Sequence, residues 1–76
     1  MTDDEKKIMT HLLYRSCKAD SCEIEKAWKF EDFDAALSSL VEKGYVSKAK
    51  YIDKSVRGSF CRLTQAGIEV LKETKQ

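Results

Sequence analysis

A change of hydrophobic period at Gly44 constrains this chain more than any other feature. Before it, Phe33, Ala36, Leu37, Leu40 and Val41 recur at i, i+3, i+4, i+7 and i+8, the stripe of a helix that buries one side. After it, Tyr45-Val46-Ser47-Lys48-Ala49-Lys50-Tyr51-Ile52-Asp53 sets β-branched and aromatic residues among polar ones, which is the patterning of a strand. Glycine takes the left-handed conformation that ends a helix without steric cost. The spacing predicts a helix from about Glu31 or Asp32 to Lys43, a stop at Gly44, and a strand directly afterwards.

The remaining elements follow from the same rules. Ile8, Met9, Leu12 and Leu13 form one helical stripe, so a first helix is expected from Thr2 to about Lys18. Asp3, Asp4 and Glu5 suit its N-terminus, and Arg15 and Lys18 its C-terminus. Lys18-Ala19-Asp20 reads as a short connection, with Ser21 as the cap of a second helix from about Cys22 to Trp28. That helix is expected to insert Ile24, Ala27 and Trp28, and Lys29-Phe30 to begin a tight turn. Residues 53–58 read as a turn, and Ser59 to Leu63 as the returning strand. Cys61 and Leu63 point to one side of it, Phe60 and Arg62 to the other. Thr64 then caps a final helix from Gln65 to about Glu73, whose apolar residues are Ile68, Val70 and Leu71. The expected fold is mainly α with a small β-hairpin: a three-helix core, a two-stranded hairpin and a C-terminal helix.

Composition limits the functions open to such a fold. Seventy-six residues make a single domain, 1–76, near the lower limit for a self-sufficient core. There is no room for a two-lobed cleft, and no Gly-rich phosphate loop, nucleophile elbow or HExxH occurs. The chain is therefore not expected to be an enzyme. No apolar run approaches the roughly 18–20 residues that cross a bilayer, and MTDDEKK lacks the basic and apolar regions of a signal peptide. A cytoplasmic location and no membrane association are expected. Three cysteines, an odd set without secretion signals, imply reduced thiols. Cys17 and Cys22 are not a CxxC pair and have no second pair, so neither a metal nor another cofactor is expected. Cys61 reads as core and His11 as surface.

Charge is unevenly placed. Residues 1–46 hold seven Lys/Arg and ten Asp/Glu, a net of −3, whereas residues 47–76 hold seven against three, a net of +4. Lys48, Lys50, Lys54, Arg57 and Arg62 alternate with Tyr51 and Phe60 along the hairpin. Such a strip suits a phosphate backbone, although lysine on an edge strand also blocks sheet-to-sheet aggregation.

Residues 22–46 resemble the helix-turn-helix core of prokaryotic winged-helix proteins. LSSLVEKGYV (37–46) and CRLTQAGIEVL (61–71) are similar to segments of MarR-like and PadR-like transcriptional regulators, and the resemblance runs from Ile8 to Leu71. It implies a winged helix-turn-helix domain that binds double-stranded DNA. The third helix would lie in the major groove and the hairpin would form a wing on the backbone or minor groove. It also implies a homodimer, formed through the first helix, the last helix or the surface around Trp28.

On that basis the candidate DNA-binding residues are Ala35, Ser38, Ser39 and Lys43 on the third helix, Lys26 and Lys29 beside the preceding turn, and Lys48, Lys50, Lys54, Arg57 and Arg62 in the wing. The third helix has no Arg, Asn or Gln, the side chains with the most discriminating base contacts. It carries Glu31, Asp32, Asp34 and Glu42 instead. The alternative is a winged-helix interaction module, a mobile-element or viral accessory protein or an assembly subunit, that uses Glu31, Asp32 and Asp34 to bind a basic protein partner.

Overall fold

The computed structural model describes residues 1–74. Its elements run α1 (Asp3–Tyr14), β1 (Lys18–Asp20), α2 (Ser21–Ala27), α3 (Phe33–Lys43), β2 (Val46–Lys50), β3 (Ser59–Leu63) and α4 (Gln65–Thr74). Four helices thus surround a three-stranded antiparallel sheet of order β1-β3-β2. The hairpin is as expected; the third strand is not.

The first helix starts with a reciprocal cap. Thr2 Oγ1 accepts from the Glu5 N–H at 3.2 Å, and Glu5 Oε1 accepts from the Thr2 N–H at 2.8 Å. The helix ends at Tyr14 rather than near Lys18, because Ser16 and Cys17 both take left-handed backbone angles, φ +60° and +68°. This kink returns the Cys17 N–H to the Leu12 carbonyl at 2.6 Å and lets the Cys17 carbonyl accept from the Leu63 N–H at 2.9 Å. Lys18-Ala19-Asp20 is therefore a strand and not a connection, opposite Arg62, Cys61 and Phe60.

Asp20, not Ser21, caps α2, accepting from the Cys22 N–H at 2.7 Å. Ile24 is the apolar residue that α2 buries, whereas Ala27 and Trp28, expected inside, are exposed. On a seven-residue helix the inward stripe is only two positions, Ser21 and Ile24, of which Ile24 is the apolar one. Phe30 packs edge-on against Phe33, ring centroids 5.0 Å apart, and steers the chain into α3.

Asp32 caps α3 through the Ala35 N–H at 3.1 Å, leaving Glu31 outside the helix. Phe33, Ala36, Leu37 and Leu40 are buried as the spacing predicts, with Val41 half-buried. Gly44 stops the helix at φ +81°, where another residue would be strained. Thr64 accepts from the Gly67 N–H at 3.1 Å to cap α4 and donates to the Gly44 carbonyl at 2.6 Å. Gly67 packs against the backbone of Tyr45 so tightly that a Cβ would collide with its carbonyl. Helix α4 therefore seats on the start of the sheet.

Ile8, Met9, Leu12, Ile24, Leu40, Val46 and Cys61 form the fully buried centre, drawn from three helices and the sheet. Truncating Leu40 to alanine would cost about 2–5 kcal/mol. Among the described residues, no helix is long and apolar enough to cross a membrane.

Candidate nucleic-acid interface

The strand register sorts the cations of the hairpin. Cys61 and Leu63 face the helices together with their partners Ala19 and Val46. Opposite residues of an antiparallel pair share a face. Lys48, opposite Cys61, and Lys50, opposite Ser59, therefore leave the sheet on the helix side, beyond the end of the core. Arg62 leaves on the other side, in a row with Ser47 and Lys18, beside a row of Asp20, Phe60 and Ala49. Lys54 and Arg57 occupy the connecting loop.

All six cations are exposed. The three ion pairs among the described residues, His11–Glu23, Arg15–Glu23 and Lys43–Glu5, use none of them. The hairpin is therefore cationic on both faces and at its tip. Lys18 shows no such role in the sequence, because three residues are too short to display a strand period; its pairing with Arg62 reveals it.

The loop is fastened at both ends to the β1–α2 junction. The Tyr51 hydroxyl donates to Asp20 Oδ2 at 2.6 Å, a bond that pushes the phenol up to about 12. At the other end, the Ser59 N–H donates to Ser21 Oγ at 2.8 Å. Gly58, at φ +84°, lies so close that a Cβ would sit 2.8–2.9 Å from Cys22 Sγ, Asp20 Oδ1 and Ser21 Oγ. Within the loop, Asp53 accepts from the Ser55 N–H at 2.9 Å and hydroxyl at 2.7 Å, and the Val56 N–H reaches the Asp53 carbonyl at 3.2 Å.

The outer side of α3 is only partly available. Asp4 accepts from the Glu31 N–H at 3.1–3.2 Å and the Asp32 N–H at 2.9 Å, clamping α1 to the turn before α3. Glu5, 3% exposed, receives the Ser39 hydroxyl and the Lys43 ammonium, both at 3.0 Å. Burial alone would raise this carboxyl. The hydrogen bonds from the Thr2 backbone, Lys43 and Ser39 outweigh it and bring it down to about 2. A buried carboxylate requires such partners, so Ser39 and Lys43, expected to face a ligand, are engaged within the fold. Ala35 and Ser38 are exposed and free of them, as are Lys26 and the Lys29 side chain; the Lys29 carbonyl accepts from Lys7 Nζ at 2.6 Å.

The N-terminal turns of α1 and α3 border an open cleft of about 400 Å³, lined in part by Asp3, Asp4, Glu31, Asp32 and Ser39. Glu31, Asp34 and Glu42 are exposed. Asp32 is exposed too, but its carboxylate is tied to the helix cap.

His11 is not the surface residue expected: its side chain is only 11% exposed. Its Nδ1 accepts from Trp28 Nε1–H at 3.1 Å, and its Nε2 lies 2.8 Å from Glu23, which also meets Arg15 at 3.3 Å. Indole N–H only donates, so Nδ1 is the acceptor and the ring proton sits on Nε2, toward Glu23. The indole itself is 38% exposed.

Cys61 is fully buried, as expected, and burial pushes its thiol up to about 11; Cys17 and Cys22 are half-buried free thiols. Among the described residues, no group of three or more His, Cys, Asp or Glu side chains is placed to hold a metal ion. Comparison of the chain with family models, curated proteins and solved structures gives no significant match.

Proposed function

We propose that this chain is a winged-helix protein that binds double-stranded DNA, a small prokaryotic transcriptional regulator acting as a homodimer. The observation that carries this reading is the wing: Lys48 and Lys50 on one face, Arg62 and Lys18 on the other, Lys54 and Arg57 at the tip, all outside the ion pairs among the described residues. Unpaired cations on both sides of a hairpin match two phosphate strands flanking a groove. Gly44 joins the wing directly to α3. With α3 in the major groove, Ala35 is small enough for close approach and the Ser38 hydroxyl is free to bond. Lys26 and Lys29 would add backbone contacts. Discrimination then rests on few groups, and affinity on the wing.

The competing reading, a basic protein partner held by Glu31, Asp32 and Asp34, keeps Glu31 and Asp34 as its available carboxylates, since Asp32 caps α3.

Fluorescence anisotropy with a labelled random duplex separates the two. Neutralising about five phosphates gives a salt slope near −4.5, so affinity falls about 500-fold between 50 and 200 mM salt. Lys54→Ala with Arg57→Ala lowers that slope by about 2 on every sequence. Ser38→Ala shifts sequence preference, whereas Ser39→Ala, its hydroxyl engaged by Glu5, does not. Absence of binding at low salt refutes the reading.

A further inference from the structure

The tip of the wing pairs its cations with an apolar side chain that the fold does not use. Ile52 is fully exposed at 101%, and Val56 is 46% exposed. Four residues apart in the loop, they are interleaved with Lys50, Lys54 and Arg57, which take part in none of the ion pairs among the described residues. An isoleucine wholly in water does nothing for folding, and the surrounding loop is not floppy. Tyr51 is bonded to Asp20, Gly58 is packed on Cys22 and Ser21, and Asp53 closes a tight turn onto Ser55. The tip is thus a loop anchored at both ends that presents two apolar side chains, Ile52 and Val56, on either side of Lys54, with Lys50 and Arg57 next to them.

Resting on the DNA-binding reading above, we infer that Ile52 is a wedge that enters the minor groove and partly unstacks a base step, so that the bound duplex is kinked. Strands in a hairpin stand about 4.8 Å apart before side chains are added, whereas the minor groove of straight B-DNA is about 6 Å wide. A hairpin tip carrying Ile52 and Val56 does not fit there unless the groove opens. Apolar side chains placed between base steps open it, bending the duplex away by roughly 20–90°. The cations suit the same role, because Lys54 and Arg57 sit beside the wedge, where they meet the phosphates on either side of the opened groove. Asp53 adds one exposed carboxylate to the tip, with Oδ1 accepting from the Ser55 N–H and hydroxyl, against the three cations Lys50, Lys54 and Arg57. A bilayer is the less suitable occupant, since two separated apolar residues among three cations offer little area to bury in lipid.

The test uses the full chain and a duplex of about 30 base pairs with a donor and acceptor dye at its ends. A second duplex carries 2-aminopurine at successive steps. The wild-type protein is expected to raise end-to-end energy transfer and to brighten 2-aminopurine at one step. Ile52→Ala and Ile52→Ser abolish both signals, weaken binding several-fold and leave the salt slope unchanged. Lys54→Ala with Arg57→Ala lowers the slope instead. Because Ile52 is wholly exposed, its substitution leaves the thermal midpoint unmoved, which separates loss of the wedge from loss of the fold. A duplex that is bound but stays straight, or an Ile52→Ala protein that still bends it, overturns the wedge and leaves DNA binding standing. Failure of the wild type to bind any duplex at low salt overturns both. Ile52-dependent binding to phosphatidylserine vesicles without a DNA kink reassigns the tip to a lipid surface and overturns the proposal.

Discussion

Glu5→Gln removes the charge that couples α1 to α3. The amide keeps the shape of the side chain, but its single oxygen can replace only Oε1, the acceptor of the Thr2 N–H. Its NH2 then stands where Oε2 met Lys43 and Ser39, so the substitution removes the ionic partner of Lys43 together with the acceptor of the Ser39 hydroxyl. In the folded protein the Glu5 carboxyl titrates at about 2 rather than 4.5. A difference of that size corresponds to about 3 kcal/mol in favour of the native state at neutral pH. The Lys43 side chain is 45% exposed, and solvent screening reduces the figure to about 2 kcal/mol. The sign follows from the lowered value. The contribution is complete above pH 4.5, declines as pH falls toward 2, and is more than half gone at about pH 3. Urea unfolding at neutral pH and near pH 3 measures it directly, with the single tryptophan, Trp28, as the reporter. At pH 7 the variant is expected to be less stable by about 2 kcal/mol with an unchanged urea slope, and at pH 3 by about 1 kcal/mol or less. A gap of the same size at both pH values would assign the loss to packing and refute the electrostatic account. A gap below about 0.5 kcal/mol at pH 7 would show that Lys43 and Ser39 do not compensate the buried carboxylate.

Three further outcomes follow from local geometry. In a spectrophotometric titration, one of the three tyrosines ionises near pH 12, and Tyr51→Phe removes that component; its contribution to stability, present below pH 10, is lost as pH rises through 12. Ser16→Gly relieves a left-handed serine and raises stability by up to about 1 kcal/mol, read as a higher thermal midpoint. A thiol reagent modifies Cys17 and Cys22 in the folded protein but reaches Cys61 only on unfolding, as its burial and raised thiol require.

The parts of the fold that are legible in the sequence have a repeating signal behind them. Five apolar residues in helical register locate α3, and Gly44 marks its end because few other residues accept its backbone angle. Strand β3 is legible through alternation, down to the inward direction of Cys61 and Leu63. Strand β1 is not, since three residues carry no period and its pairing is set by Leu63 and Arg62, far along the chain. Trp28 illustrates a different failure: its hydrophobicity suggests the core, but on so short a helix the indole is satisfied by His11 at the rim. At the candidate interface, composition marks the wing cations while their division between two faces needs the register. The acidic residues mislead most. Asp4 and Glu5 read in sequence as complements to the N-terminus of the first helix, and Asp32 as a possible partner contact, yet each also holds hydrogen bonds that fasten or cap α3.

The pairing of β1 with β3 also sets an order of events on the ribosome. Helices α1 and α3 can meet once residues 1–43 have emerged, since Glu5, Ser39 and Lys43 are then all present. Strand β1 has to wait, because its neighbour in the sheet among the described residues is residues 59–63. Until that segment arrives, the left-handed turn at Ser16 and Cys17 has no Leu63 N–H to hold it, and non-local pairing of this kind forms late. In the interval between residue 43 and residues 59–63 the emerging chain is a half-docked pair of helices, and β1 joins the cooperative unit only when β3 arrives to pair with it.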